Sequence, residues 1–292
     1  MQLSDNARGA VYMMVAMAAF TINDTAMKAL TQDVPLFQAI SMRGVLMLIG
    51  LIALAKVLRQ WKPVLPRRDG VIIGVRCIAE IASTVLFLAA LMHMPLANLS
   101  AIMQALPLAV TLAAAVVFKD KIGWRRMTAI LIGFVGVLII IRPGPDGFAI
   151  WSLMGLGSVV FVVVRDLSTR SIGRAVPSVM VAVWASIAVT AAATLASLVQ
   201  GWQPLTAGQG GLVVLASAAL VVGYLFAVMV MRVGDIGFVA PFRYTALIWA
   251  IFLGWLVFGA LPDLLTLTGA ALVVATGIFT LLRERKIKAR QT

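Results

Sequence analysis

Seven ionisable residues interrupt the long apolar runs of this sequence. They are Asp24, Lys28, Arg43, Arg76, Glu80, Arg165 and Arg243. An ionisable side chain inside an apolar segment is costly to remove from water, so it usually faces a partner or a water-filled cavity. The chemistry open to these residues is ion pairing, proton transfer and the recognition of carboxylate or ammonium groups. They are therefore the first candidates for function.

Two acid–base pairs have a spacing of four residues, which places each pair on one helix face. Arg76 and Glu80 are predicted to form either an internal ion pair or a functional pair. In the functional interpretation Glu80 carries a proton or binds an ammonium group, and Arg76 binds a carboxylate. Asp24, beside Asn23, and Lys28 are predicted to form an interfacial pair or an outer substrate contact. Glu80 and Asp24 are the proton-coupling candidates.

A polar face around one proline supplies further candidates. Four residues at i, i+3, i+4 and i+7 share it: Ser100, Met103, Gln104 and Pro107. A shift of 140 positions gives the matching set in a later helix: Ala240, Arg243, Tyr244 and Leu247. Gln104, Arg243 and Tyr244 are predicted to bind substrate, with Arg243 pairing a carboxylate through two N–H groups. Trp249 is a further candidate, for stacking on a planar substrate. The alternative for this group is ordinary packing and interhelical hydrogen bonding.

Two other arginines are predicted to be structural. Arg43, about two turns into its helix, is predicted to tie neighbouring helix ends rather than to contact substrate. Arg165 is predicted to anchor the cytoplasmic end of the sixth helix, and Asp166 beside it gives the alternative of an inner gate.

The composition indicates a membrane protein. The 292 residues are 62% hydrophobic and 12% charged, with a mean hydropathy of +1.04, whereas soluble domains are about 45–50% apolar and about 25% charged. Apolar runs of about 20 residues recur, the length that crosses a bilayer as a helix. The predicted fold is all-α and polytopic, with ten spans: 9–30, 36–57, 70–91, 97–118, 125–141, 149–169, 178–199, 210–231, 237–258 and 264–282.

The positive charges predict the orientation. With the N-terminus inside, eighteen of the 24 Lys and Arg residues fall in inner segments and one, Arg142, falls in an outer segment. This bias predicts that both termini are cytoplasmic, and it explains the net charge of +13 without a nucleic-acid partner. One Cys and one His exclude a disulfide framework and a metal site built mainly from these residues.

The ten spans divide into two halves of five, 1–143 and 144–292. An odd number of spans per half inverts the second half in the membrane. The basic loop 119–126 then lies inside, while its counterpart GALPD at 259–263 lies outside and contains no Lys or Arg. Inverted repeats are typical of secondary transporters, whose substrate site lies near the midplane between the repeats.

Three segments carry a family resemblance: MPLANLSAIMQALPL at 94–108, GWRRMTAILIGFVGVLIIIRPG at 123–144 and APFRYTALIWAIFLGWLVFGALPD at 240–263. The sequence resembles the EamA family of the drug/metabolite transporter superfamily. The resemblance implies a ten-helix inverted-repeat transporter with a central cavity lined chiefly by helices 1, 3, 4, 6, 8 and 9. Members often carry Glu shortly after the Phe of each repeat, where this chain has Asp120 and Ala260.

The function favoured by these features is secondary transport by alternating access, with the two halves rocking around a midplane site. The predicted cargo is a small amphipathic metabolite, anionic or zwitterionic: an amino acid, a derivative of one, or a vitamin-like or nucleoside-like compound. Proton coupling and facilitated exchange are both open, and no Walker-type loop points to ATP. A channel-like permease and an intramembrane enzyme are the alternatives. The predicted partners are the metabolite and the lipid bilayer of a bacterial inner membrane, with no cofactor and no metal, and the chain is predicted to be a monomer or a weak homodimer.

Overall fold

The computed structural model describes residues 4–62, 67–119, 123–142, 148–173, 176–230, 233 and 236–288. Within these ranges ten helices are long and apolar enough to cross a membrane. A helix satisfies its backbone hydrogen bonds within one segment, which is what a hydrocarbon environment requires. The ten predicted spans are confirmed, with ends that differ by a few residues. The protein is a polytopic membrane protein.

The helices alternate with short connections. Their bounds are α1 Asp5–Leu30, α2 Leu36–Val57, α3 Arg67–His93, α4 Leu96–Phe118, α5 Trp124–Ile141, α6 Phe148–Arg170, α7 Ser178–Gln200, α8 Ala207–Val230, α9 Ala240–Phe258 and α10 Leu264–Lys288. Proline precedes the first residue of α2, α4 and α7, a position where its missing N–H breaks no helical bond. Several predicted turn and loop residues lie outside the described ranges, namely 63–66, 120–122, 143–147, 174, 232 and 234.

Two of the helices, α4 and α9, are interrupted. In α4 the segments Leu96–Met103 and Leu106–Phe118 are joined by a turn at Gln104, just before Pro107. In α9 a 3-10 segment, Ala240–Tyr244, precedes the α-helical part and contains a proline. Proline has no N–H and clashes with the preceding turn, so it breaks a helix locally. Both segments therefore leave backbone groups without their α-helical partners.

The helices of the two sequence halves interleave. The most extensive contacts are those of α1 with α8, α3 with α6, α5 with α10 and α2 with α7, and each pair joins the two halves. Exchanging the halves leaves this set of pairs unchanged, as an inverted repeat requires. Glycines allow the close approach: a Cβ at Gly136 would lie 2.8 Å from the carbonyl oxygen of Gly269. Movement of one whole half against the other would separate these contacts, so the halves are not two independent bodies.

Helix ends that share a membrane face are tied to one another. We call the face that carries the start of α1 the inner face. On the outer face the Gln38 side chain pairs with the backbone of Gln203, at 2.7 and 2.9 Å. On the inner face the backbone N–H of Gly173 donates to Asp69 at 3.1 Å. Both contacts join helices that the alternating topology brings to the same side.

The outer side of the helix assembly is closed by apolar packing. Large side chains between α1, α3 and α4 are almost completely buried there: Met27, Leu30, Leu91, Met94 and Leu99. The outer segments of α4 and α9 also pack together, and Gly254 lies close to Leu96. Between the described inner segments of the same two helices there is no comparable contact. The interior space is therefore bounded on the outer side by packed apolar side chains.

Candidate functional site

A central cavity of about 470 Å³ lies between the helices, within the usual range of about 300–1,000 Å³ for small-molecule sites. The described lining residues come from α1–α4 and α6–α9. Helices α2 and α7 thus line the cavity in addition to the six helices that the family resemblance implied. They reach it because they pack closely: a Cβ at Gly44 would lie 2.3 Å from the hydroxyl oxygen of Thr190.

The α3–α6 wall of the cavity carries a connected ion-pair network. Glu80 lies between two guanidinium groups, with Oε2 at 3.3 Å from Arg76 Nη2 and Oε1 at 3.3 Å from Arg165 Nη1. Arg165 also contacts Asp166, with Nη2 at 2.8 Å and Nε at 2.9 Å from Oδ1. Arg76 Nε donates to the Thr169 hydroxyl at 2.9 Å. Two arginines thus face two carboxylates, and the four charges balance.

This network corrects the interpretation of Arg165. The residue does not anchor the end of α6 in the cytoplasmic surface, because its guanidinium turns into the cavity toward Glu80. The predicted same-face pair of Arg76 and Glu80 is present as an ion pair. The sequence pattern found that pair because both partners lie on one helix, whereas the Arg165–Glu80 contact joins two helices.

The α1–α2 wall carries a chain of three polar residues. Arg43 Nη1 donates to Asn23 Oδ1 at 3.3 Å, and Asn23 Nδ2 donates to Asp24 Oδ1 at 2.9 Å. All three residues line the cavity. Arg43 therefore ties α2 to α1 at mid-helix, and not at the helix ends as predicted. No described Lys or Arg lies within ion-pair distance of the Asp24 carboxylate.

Lys28 lies outside the cavity and does not pair with Asp24. Its Nζ donates to the carbonyl oxygens of Leu91 and Met94, at 2.6 and 2.9 Å, and lies 5.5 Å from the centre of the Phe258 ring. The last carbonyl groups of a helix have no intrahelical donor, and the long lysine side chain reaches those at the end of α3. Lys28 therefore joins α1, α3 and α9 on the outer side.

The predicted face of α4 lines the cavity completely. Its members are Ser100, Met103, Gln104 and Pro107. On the opposite wall Arg243 of α9 lines the cavity and its side chain is exposed to it. No described residue hydrogen-bonds or ion-pairs with the Arg243 guanidinium, and Asp166 is the carboxylate that acts on it electrostatically. Gln104 and Arg243 are thus placed where a ligand in the cavity can reach them.

Two predicted site residues lie elsewhere. Tyr244 is buried away from the cavity, and a Cβ at Gly277 would lie 1.7 Å from its hydroxyl oxygen. The Trp249 ring packs edge-on against Phe252 and is not part of the lining. The 3-10 segment explains the position of Tyr244, since with three residues per turn Arg243 shares a face with Ala240 and Tyr244 points away from that face. The prediction assumed α-helical spacing throughout.

The remaining lining residues make the cavity amphipathic. Phe20, Phe87 and Met17 supply apolar surface. Ser186 and Thr190 of α7 supply hydroxyl groups. They were not predicted as site residues, although their four-residue spacing in an apolar helix indicates a shared polar face. The lining holds four arginines and three carboxylates, and Arg243 carries the excess positive charge. Within the described residues no group of three or more His, Cys, Asp or Glu side chains could hold a metal ion.

Known proteins similar to this chain are transporters. Residues 7–142 match the EamA-like transporter family. The chain is 30% identical to a riboflavin transporter of Vibrio cholerae over 65% of its own length and 64% of the relative's length. It is 25% identical to the pseudopaline exporter CntI of Pseudomonas aeruginosa, over 92% of the chain and 94% of that protein. An S-adenosylmethionine uptake transporter of Rickettsia prowazekii is 23% identical, over 66% and 65% of the two chains.

A solved crystal structure supports the fold alone. It superposes with a TM-score of 0.67 at 17% identity and covers 94% of this chain and 96% of the other.

Proposed function

Since the chain belongs to the EamA-like transporter family, we propose that it is a secondary transporter of a small amphipathic metabolite that carries a carboxylate, either anionic or zwitterionic. The membrane in which it acts is the inner membrane of a bacterium, with both termini cytoplasmic. A single observation supports a carboxylate on the substrate. The Arg243 guanidinium is exposed to the central cavity without a hydrogen-bonded or ion-paired partner among the described residues.

The chemistry of the guanidinium group favours a carboxylate as its ligand. Arginine stays charged in proteins and presents a planar set of donors that fits a carboxylate through two parallel bonds. An intramembrane charge is normally neutralised by a partner. The other three cavity arginines have hydrogen-bond or ion-pair partners within the protein. Arg243 lacks one, so a carboxylate of the substrate completes its coordination.

The amphipathic character of the substrate follows from the rest of the lining. Phe20, Phe87 and Met103 provide apolar surface beside the polar groups. The similar transporters are named for riboflavin, S-adenosylmethionine and pseudopaline, which supports a small metabolite as the cargo class. A cavity of about 470 Å³ accommodates a molecule of that kind.

Alternating access requires two groups of helices that can move relative to each other. In the packing, α8 contacts α1 and α2, and α1 contacts α9; in the same way α3 contacts α6 and α7, and α6 contacts α4. The cavity lies between these two groups, which the packing of α2 against α7, the outer contact of α4 with α9 and the contact of Lys28 with α3 hold together. We propose that these interleaved groups rock about the cavity. The division into repeats at 1–143 and 144–292 describes the origin of the helices rather than the moving bodies.

Asp24 is the preferred candidate for proton coupling. Glu80 is ion-paired with two guanidinium groups, so its protonation would break two ion pairs. Asp24 accepts only from the Asn23 amide, so its protonation breaks none. The proposal predicts that Asp24→Asn removes the dependence of uptake on a proton gradient while exchange of substrate for substrate continues. Uptake by Asp24→Asn that still follows the imposed gradient would contradict this assignment.

Counterflow in proteoliposomes tests the proposed function. Ligands that stabilise the purified protein are loaded inside the vesicles, and uptake of the labelled ligand from outside is measured. A transporter shows uptake stimulated by the internal ligand, whereas a channel-like permease or an enzyme does not. Arg243→Gln is expected to abolish the stimulated uptake, and Arg243→Lys is expected to retain a reduced rate. Equal stimulation in the wild type and Arg243→Gln would overturn the proposal.

A further inference from the structure

Three buried hydrogen-bonding atoms on the α2–α7 wall of the cavity have no partner within the described structure. They are Arg43 Nε, Ser186 Oγ and Thr190 Oγ1. The three residues are only 8%, 6% and 8% exposed, and all three line the central cavity. Buried polar atoms are nearly always hydrogen-bonded in folded proteins, and leaving one unsatisfied costs about 1–3 kcal/mol. Three such atoms in one wall require an explanation.

The three residues lie on two packed helices, α2 and α7, that line the same cavity. Ser186 and Thr190 are one helical turn apart and share a face of α7. That face lies against Gly44, where a Cβ would approach the Thr190 hydroxyl oxygen to 2.3 Å. Gly44 follows Arg43 directly, so Arg43 belongs to the segment of α2 that packs against α7, and its guanidinium extends toward Asn23 of α1. Any side chain at position 44 would displace the hydroxyl that lies there.

Neighbouring hydroxyl groups show that the lack of partners is not a general property of these helices. Thr194 of α7 donates to the carbonyl oxygen of Thr190 at 2.8 Å, and Ser217 of α8 donates to that of Val213 at 2.7 Å. Such bonds to the preceding turn are the usual arrangement for Ser and Thr within a helix. Ser186 and Thr190 depart from it and keep their hydroxyl groups available.

We propose that Arg43, Ser186 and Thr190 form a second subsite, which binds a neutral carbonyl oxygen of the substrate while its carboxylate binds Arg243. This rests on the proposed function and narrows its substrate class to carboxylates that carry a separate carbonyl or carboxamide group. Each of the three atoms can donate a hydrogen bond, and a carbonyl oxygen has two lone pairs, so it can accept from two of them at a time.

The charges of the cavity favour a neutral group at this subsite. Arg43 is already joined through Asn23 to the Asp24 carboxylate. The lining has one positive charge in excess, from four arginines and three carboxylates, and the carboxylate at Arg243 neutralises it. While Asp24 is ionised, a second carboxylate at Arg43 would leave the cavity with a net negative charge, which is costly at low dielectric.

Isothermal titration of the purified full-length protein tests the subsite. The probes are acids with a terminal carboxamide, from succinamic acid upward in chain length, compared with alkanoic acids and dicarboxylic acids of equal length. The wild type is expected to bind the best carboxamide about tenfold more tightly than the matched alkanoate, because hydrogen bonds to the second group are gained. In the double variant Ser186→Ala/Thr190→Val this ratio falls to about one while alkanoate binding is unchanged.

Matched variants keep the test specific. Thr190→Ser preserves a hydroxyl and is expected to preserve the ratio, and Ser41→Ala removes a hydroxyl that bonds Thr194 at 2.6 Å outside the lining. A ratio that persists in the double variant overturns the subsite, as does the absence of any carboxamide preference in the wild type. Tighter binding of dicarboxylic acids than of acids with a terminal carboxamide would show that the subsite does not select a neutral group. Loss of alkanoate binding in Arg243→Gln tests the proposed function and does not bear on the carbonyl subsite.

Discussion

The two long walls of the cavity use their charged residues differently. On the α3–α6 wall every charge has a partner, and Glu80 lies between Arg76 and Arg165 at 3.3 Å from each. On the facing surfaces of α9, α2 and α7 the donors are incompletely satisfied, with Arg243 exposed to the cavity and Arg43 Nε buried without an acceptor. Both walls are lined by arginine, and Arg76 Nη1 on the first wall also lacks a hydrogen-bond partner, but among the cavity arginines only the Arg243 guanidinium has no ion-paired or hydrogen-bonded partner among the described residues.

This difference separates structural charge from charge available for binding. A buried charge that loses its partner destabilises the protein strongly, because its desolvation is no longer compensated. A charge that faces water in a cavity loses little when no ligand is present and gains a partner when one arrives. Substitution of an ion-paired residue should therefore lower stability more than ligand binding. Substitution of a residue that faces the cavity without a partner should lower ligand binding more than stability.

The largest expected effect on stability comes from the paired wall. Glu80→Gln leaves Arg76 and Arg165 without their shared carboxylate, and the expected loss is about 3 kcal/mol. This corresponds to a fall in Tm of about 10 °C in detergent, measured by differential scanning fluorimetry. Arg243→Gln is the matched control, since it breaks no ion pair with a described residue, and its Tm is expected to stay within about 3 °C of the wild type. A similar fall in the Tm of both variants would contradict the distinction between the ion-paired residues and Arg243.

A smaller effect is expected at the outer closure, where Lys28 joins the ends of α1, α3 and α9. Lys28→Met removes two hydrogen bonds from a charged donor, each worth about 1.5–3 kcal/mol at most when fully buried. The closure should open more often, which raises the labelling rate of a Ser100→Cys probe by an impermeant maleimide added from outside. The background carries Cys77→Ser, and Lys28→Arg is the control that keeps the charge. An unchanged labelling rate in Lys28→Met would show that the apolar packing alone closes this end.

Tyr244 provides a second comparison with Arg243, because it is the next residue in the sequence but does not line the cavity. Its hydroxyl is buried without a partner and lies against Gly277. Tyr244→Phe is therefore expected to leave ligand binding unchanged and to raise stability by up to about 1 kcal/mol. Gly277→Ala is expected to destabilise the protein, and Tyr244→Phe should relieve part of that loss. A large drop in ligand affinity in Tyr244→Phe would show that the Tyr244 hydroxyl takes part in ligand binding.

The smallest expected effect lies outside the membrane, where Arg142 donates to Asp263 on the outer face. This hydrogen bond lowers the pKa of Asp263 from 3.8 to about 2. Because the folded-state pKa is the lower one, the pair contributes stability above about pH 4 and loses it as the pH falls towards 2. Both side chains are substantially exposed, so solvent screens the effect. Asp263→Asn should flatten the Tm between pH 4 and pH 2, and an unaltered pH profile would contradict the assignment.

Much of the architecture was predictable from the sequence, because membrane-spanning helices follow from apolar run length. The cavity face of α4 was predicted as well, since Ser100, Gln104 and Pro107 follow α-helical spacing up to the break. The Arg76–Glu80 pair was found for the same reason. Local periodicity is sufficient where both partners belong to one regular helix.

The remainder depended on contacts that no local pattern encodes. Tyr244 was misplaced because the chain is a 3-10 helix at Ala240–Tyr244, which changes the direction of each side chain. Arg165 was assigned to the membrane surface because its partner Glu80 is 85 residues away in the chain. The α2–α7 wall was missed because the approach of Gly44 to Thr190 depends on how two distant helices pack.

The central claim is that Arg243 is the cavity's cation for a substrate carboxylate. Its most direct test is the ligand-induced change in Tm of the wild type and Arg243→Gln, across a metabolite library in which each carboxylic acid is paired with its methyl ester. We predict that particular acids raise the Tm of the wild type, that their esters do not, and that Arg243→Gln responds to neither. Equal stabilisation of both proteins by the same acids, or hits that are all apolar cations, would contradict the claim.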